Sequence, residues 1–134
     1  MQTHAEGGNY RILLADGLVM CDVWKRTDVD AQQGGAWAQE MGQHLMTLAV
    51  AARSRAFAMI FDMAEAPVVA GPQTSALLGK VLNAWEIAGR KVAIVVSEAP
   101  LMKLQMQRIV KENIPTWGKV FESGPDAHTW ASAK

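Results

Sequence analysis

The sequence predicts an α/β domain: a mixed sheet of about five strands opened by an antiparallel hairpin, with about four helices mainly on one face. Three observations carry this expectation. Ala58-Met59-Ile60-Phe61 and Lys91-Val92-Ala93-Ile94-Val95-Val96 are short, nearly continuous apolar runs, as in strands covered on both faces. Between them, residues 73–88 repeat apolar side chains at helical spacing, so 57–97 reads as strand, loop, helix and strand. Upstream, Asp16-Gly17 separates two further apolar runs, and a type I′ hairpin turn needs positive φ at both central residues.

Each element follows from its residues. Residues 1–8 are polar and are expected to be a flexible start, leaving 9–133 as a single domain. Tyr10-Arg11-Ile12-Leu13-Leu14-Ala15 and Leu18-Val19-Met20-Cys21-Asp22-Val23-Trp24 form the hairpin arms. Asp28 or Asp30 can cap the next helix, on which Trp37, Met41, Leu45, Leu48 and Ala52 make an amphipathic stripe. Gly34-Gly35 weakens its first turns, so the helix is expected to become firm near Ala36, and Arg53-Ser54-Arg55 suits its carboxyl end. The second helix buries Leu77, Leu78, Val81, Leu82 and Trp85 and stops at Gly89. Pro100 opens a third helix, with Met102, Met106, Ile109, Val110 and Asn113 on one face, and Pro115 ends it. Lys119-Val120-Phe121-Glu122 reads as a short last strand. Ser123 with Asp126 three residues on is a capping signature for a final helix holding Ala127, Trp130 and Ala131.

The bulk numbers narrow the function classes. A chain of 134 residues suits one domain with a real core. Thirteen basic and thirteen acidic residues balance, so the basic footprint of a nucleic-acid binder is missing. No apolar run approaches the roughly 18 residues of a membrane span, and no signal-peptide pattern opens the chain. A single cysteine precludes an intrachain disulfide, which suits a cytoplasmic setting.

The chemistry-bearing residues form no strong constellation. His4, His44 and His128 lack ligand-like spacing, and Cys21 reads as a small buried strand residue. Asp62, Glu65 and Glu98 fall at the ends of the two apolar strands. They could share a hard cation, but carboxylates there also simply complement helix amino ends. Lys80, Lys91, Lys103 and Gly71 match no phosphate-binding loop. The expectation is a chain that is not an enzyme and has no cofactor or metal. Eight Met and five Trp are the compositional oddity. Most fall on buried stripes, and the remainder could line an apolar pocket or partner groove.

With Ile60-Phe61-Asp62-Met63, Leu77-Leu78, 89–95, Val120-Phe121 and Ala127…Trp130-Ala131 in this order, the chain resembles the STAS domain of bacterial anti-sigma-factor antagonists. It also resembles the related SpoIIAA-like proteins, whose shape is akin to Sec14-type lipid carriers. The resemblance covers about residues 10–132. It implies a non-catalytic protein-interaction and regulatory module of the bacterial cytoplasm. The family's phosphorylated serine motif opens the helix after the third strand. Aligning on Leu77-Leu78 puts Ala70-Gly71-Pro72-Gln73 there, without a hydroxyl; sliding by three residues offers Thr74 and Ser75 as phosphorylation sites. The implied surface for a protein partner or self-association is Pro67, Val69, Gly71, Pro72, Gln73, Thr74 and Ser75. The alternative implied by the Sec14-like shape is a carrier or sensor of a small apolar ligand or lipid, with Met and Trp lining its pocket.

Overall fold

Asp16 and Gly17 adopt φ of 51° and 83°, so the hairpin turn takes the left-handed geometry that its Asp-Gly pair permits. The computed structural model describes residues 2–50, 57–67 and 71–133. The turn joins β2 (Tyr10–Ala15) to β3 (Leu18–Trp24), paired antiparallel from Tyr10↔Val23 to Ala15↔Leu18. Four further strands complete one sheet: β1 (Gln2–Glu6), β4 (Ala58–Glu65), β5 (Lys91–Val95) and β6 (Gly118–Phe121). Their order is β1-β2-β3-β4-β5-β6, antiparallel from β1 to β3 and parallel from β3 to β6.

The sheet therefore has six strands where about five were expected, and the extra one corrects the expectation of a flexible start. Gln2–Glu6 pairs with β2, its register shifting between Thr3 and Ala5. Its polarity hid it. At a sheet edge only Ala5 packs against the core, and exposed polar side chains discourage pairing with other chains.

Four helices pack on this sheet. Helix α1 spans Ala31–Val50, α2 Pro72–Ala88, α3 Pro100–Asn113 and α4 Gly124–Ser132. The glycine pair does not delay α1. The Asp30 carboxylate accepts the Gln33 N–H at 2.8 Å and the Asp30 carbonyl accepts the Gly34 N–H at 3.1 Å, so the first turn is held. The expected basic stretch at 53–55 lies outside the described residues, as does Ala52 of the α1 stripe. Gly89, at φ 68°, ends α2 by donating to the Glu86 carbonyl. The Ser123 hydroxyl accepts the Asp126 N–H at 3.3 Å and opens α4.

Strand alternation divides the core. Val19, Cys21, Met59, Phe61, Val92 and Ile94 point to the face carrying α1, α2 and α3. Leu18, Ala58, Ile60, Ala93 and Val95 point to the other face, where α4 rests on them through Ala127 and Ala131. Trp85 is fully buried, and its indole N–H donates to the Leu45 carbonyl at 3.1 Å, tying α2 to α1. The Arg90 guanidinium adds a 3.0 Å bond to the Leu48 carbonyl.

Tyr10 makes one pH dependence predictable. Its ring is buried and its hydroxyl donates to the Glu40 carboxylate at 2.9 Å. Burial first, and then the Glu40 bond and charge, push its pKa from 10.0 to about 12. The folded state thus keeps a proton that the unfolded chain loses above pH 10. The stabilisation is complete below pH 10 and is lost as pH rises toward 12. Urea midpoints should fall across that window in the wild type, and Tyr10→Phe should remove that part of the fall. Cys21, also pushed up by burial, contributes a loss that begins nearer its ordinary pKa of 9.0 and persists in the variant. An identical alkaline profile in both proteins would refute the assignment to Tyr10.

Candidate functional site

A groove opens between the first half of α1 and the start of α2, at the carboxyl ends of β3 and β4. That is where parallel α/β sheets commonly hold ligands. Its volume is about 420 Å³, within the range of small-molecule sites. Val23, Phe61 and Met63 contribute from the strands, Met41 and Leu45 from α1, and Leu77, Leu78 and Val81 from α2. Among the described residues, Asn9, Gln73 and Thr74 are its polar side chains, and none that lines it is ionisable.

Helix α1 makes room by omission. Ala31, Gly34, Gly35, Ala38 and Gly42 recur along the face that meets the groove. A Cβ added at Gly34 or Gly35 would meet nothing within 4 Å, whereas one at Gly42 would come within 3.0 Å of a Leu77 methyl. The two helices thus touch at Gly42 and part toward Gly35. Two interior glycines cost a helix about 1 kcal/mol each relative to alanine, and neither of these is required by packing. What they provide is open space.

The rim is the start of α2. Gly71 is its N-cap, extended at φ −68° and ψ 167°, with no side-chain cap. Pro72 follows as the first helical residue, and the Ser75 N–H is the first to bond within the helix, to the Gly71 carbonyl at 2.9 Å. The Gln73 and Thr74 N–H groups therefore have no partner among the described residues, and the first turn holds no acidic side chain.

Five of the seven residues of the partner surface expected from the sequence lie on this rim. Pro67, Gly71, Pro72, Gln73 and Thr74 all line the groove and are exposed. Val69 lies outside the described residues. Ser75 points away. It faces a second, polar groove of about 590 Å³ between α2 and α3, and its hydroxyl accepts from the Gln105 amide at 3.4 Å. The two hydroxyls considered for phosphorylation thus face different grooves. The expected Met-and-Trp pocket is corrected in part: Met41 and Met63 line the groove and no tryptophan does. Trp85 sits in the core, Trp130 packs against Phe121 on the opposite face, and Trp37 lies under Arg26 at 5.2 Å. Reading Gly34-Gly35 only as a weakness of the helix missed the α1 wall. The small-residue spacing through Ala31, Ala38 and Gly42 was the available signal.

The remaining candidates are dispersed or engaged. The Asp62 carboxylate accepts the Ala64 N–H at 3.0 Å, while Glu65 and Glu98 are exposed. Among the described residues, no three His, Cys, Asp or Glu side chains gather as a metal site would require. Cys21 is fully buried, and burial pushes its thiol pKa up, which makes the thiolate inaccessible as a nucleophile. Lys103 pairs with Glu122 at 2.8 Å, Lys91 bonds carbonyls at the end of α4, and Lys80 lines the polar groove. His4 and His44, unrelated by spacing, meet edge-on with ring centroids 5.5 Å apart. No described helix is long and apolar enough to cross a membrane.

No protein-family model matches the chain, and no curated protein matches it. Its fold is similar to the NMR structure of the protein TM1081, with a TM-score of 0.59 at 11% identity over 98% of this chain and 94% of that one.

Proposed function

We propose that this chain is a non-catalytic STAS-like binding module whose α1–α2 groove takes a small apolar ligand, as a carrier or sensor does. The observation that carries the reading is the groove itself: about 420 Å³, lined by Met, Phe, Leu and Val side chains and, among the described residues, by no ionisable group. Such a lining offers an apolar solute burial and offers a reacting substrate no acid, base or nucleophile. The STAS-like reading is supported by the element order, which after β1 runs from the β2–β3 hairpin into alternating helices and parallel strands.

The second reading is a protein partner, or a second copy, at the rim. The exposure of Pro67, Gly71, Pro72, Gln73 and Thr74 favours it. Against it, the exposed large apolar side chains among the described residues are Val50, Ile87, Leu101, Leu104 and Trp117, none of them on this rim. The described part of the rim therefore offers none of the aromatic or aliphatic anchors that dominate interface energetics. One pair of variants separates the readings. Met41→Lys, a charge inside the groove, should weaken binding of an uncharged fluorescent apolar dye at least about tenfold, since an unpaired charge in an apolar site is costly. Gln73→Lys on the rim should leave dye binding intact. If instead Gln73→Lys abolishes self-association or a pull-down contact and the wild type binds no dye, the rim reading prevails.

A further inference from the structure

We propose that His4 and His44 form a two-histidine site for a divalent metal ion of the nitrogen-preferring class, Zn²⁺, Ni²⁺ or Cu²⁺, which clamps the edge strand β1 to helix α1. Neither residue lines the α1–α2 groove, so the inference stands apart from the ligand reading above.

A β-bulge aims the strand ligand. His4 falls where the β1–β2 register shifts between Thr3 and Ala5, and it has no partner in the ladder. In a regular strand, neighbouring side chains point to opposite faces. Here Ala5 packs on the core that α1 covers, and the His4 ring meets His44 of α1, so consecutive side chains turn to one side of the sheet. Bulges occur where a strand re-aims a side chain, and this one delivers an imidazole to a second imidazole. Glu40, one turn before His44, accepts the Tyr10 hydroxyl of β2, so this side of α1 overhangs the antiparallel edge of the sheet.

The spacing suits a shared ion. An imidazole nitrogen binds Zn²⁺ at about 2.0–2.1 Å, which puts each ring centre about 3.2 Å from the metal and two tetrahedrally disposed ring centres about 5.2 Å apart. The observed separation is 5.5 Å, with the ring planes at 88°. Small rotations about the side-chain bonds turn one nitrogen of each ring to a common point. His4 is exposed and His44 half-buried, and among the described residues neither ring has a hydrogen-bond or ion-pair partner. His128, by contrast, meets the Ser132 hydroxyl at 3.4 Å. Imidazole pairs suit Zn²⁺, Ni²⁺ and Cu²⁺, whereas Mg²⁺ and Ca²⁺ take oxygen. No third His, Cys, Asp or Glu joins the pair among the described residues, and Glu40 is held by Tyr10. The site is therefore open and exchangeable, with its other positions left to solvent, unlike a structural zinc closed by four protein ligands.

The test is calorimetric titration of the whole chain with Zn²⁺, Ni²⁺, Cu²⁺ and Mg²⁺. Cu²⁺ should bind most tightly and Mg²⁺ not at all. His4→Gln and His44→Gln should each weaken Zn²⁺ binding at least about tenfold, since even the loss of an outer-shell partner costs about 10–100-fold. The double variant should bind no more weakly than either single one, because the chelate is lost with its first ligand. His128→Gln should leave the affinity unchanged. The two substitutions lie on different elements, and glutamine is a better helix former than histidine, so a folding defect in one variant leaves the other to decide. Hydrogen exchange reads the clamp: Zn²⁺ should slow exchange of the β1 amides in the wild type and not in His4→Gln. No binding of the three nitrogen-preferring ions, wild-type affinity in either single variant, or an equal loss in His128→Gln would overturn the site. Binding without slower β1 exchange would overturn the clamp.

Discussion

Trp85→Ala is expected to lose a large share of the fold's stability, about 3–5 kcal/mol for a fully buried tryptophan. A domain of this kind is stable by only about 5–15 kcal/mol in total. Trp85 is the largest fully buried side chain and sits where α2 meets α1, with its indole N–H on the Leu45 carbonyl. Truncation leaves a cavity between two helices and the sheet, and it removes a hydrogen bond that joins the helices directly. Trp85→Phe divides the effect. It keeps much of the packing and loses the bond, so it should cost about 1–2 kcal/mol beyond any strain. Leu45 and Val81, which neighbour this contact along their helices, also line the groove. Loosening α1 against α2 should therefore weaken ligand binding as well as stability. Urea denaturation of both variants checks the ranking. An alanine variant within about 1 kcal/mol of wild type would show that the α1–α2 contact is not where the stability resides.

The parts of the fold governed by local chemistry were legible in the sequence. Asp16-Gly17, Gly89 and the Ser123–Asp126 pair each have one strongly favoured backbone role, and each performs it. The two apolar strands were equally plain, because burial on both faces leaves polar residues few places to stand. What escaped depends on partners distant in sequence. Gln2–Glu6 is a strand only because β2 offers it an edge, and nothing in its own polar residues announces this. His4 meets His44 for the same reason, across 40 positions that no local pattern relates. The groove is a mixed case. The family position singled out residues 67–75 as a partner surface and not as the edge of a groove, and the α1 wall is defined by side chains that are missing. Glycine at 34 and 35 signals weakness to a helix-propensity argument. Only the position of α2 turns that weakness into a cavity.

Removing residues 124–134 should convert the protein into an aggregating one, because α4 is the described cover of the second face of the sheet. Leu18, Ala58, Ile60, Ala93 and Val95 form a contiguous apolar surface across β3, β4 and β5, and Ala127 and Ala131 are the buried residues that α4 places on it. Alanine permits close approach of the helix backbone, and Phe121 and Trp130 pack beside the same cluster. Uncovered, central parallel strands with apolar outer faces present the kind of patch that drives association. Lys91 shows how the helix is secured. It lies at the start of β5, passes its Nζ over the Trp130 ring at 5.2 Å, and donates to the Trp130 and Ala133 carbonyls at 3.1 and 2.6 Å. A cation at the carboxyl end of α4 satisfies carbonyls that lack helical partners and complements the helix dipole. Lys91→Met keeps the aliphatic stem and removes those donors. It should destabilise by about 1.5–3 kcal/mol, the range for hydrogen bonds to a charged group, without exposing the face. Size-exclusion chromatography with light scattering should therefore find Lys91→Met monodisperse, at the wild-type mass and with a lower melting temperature, and the truncated chain in large, heterogeneous particles. A truncated chain that stays at the wild-type assembly state with unchanged thermal stability would mean that the face is not held by α4, and the two-sided account of the core would fall with it.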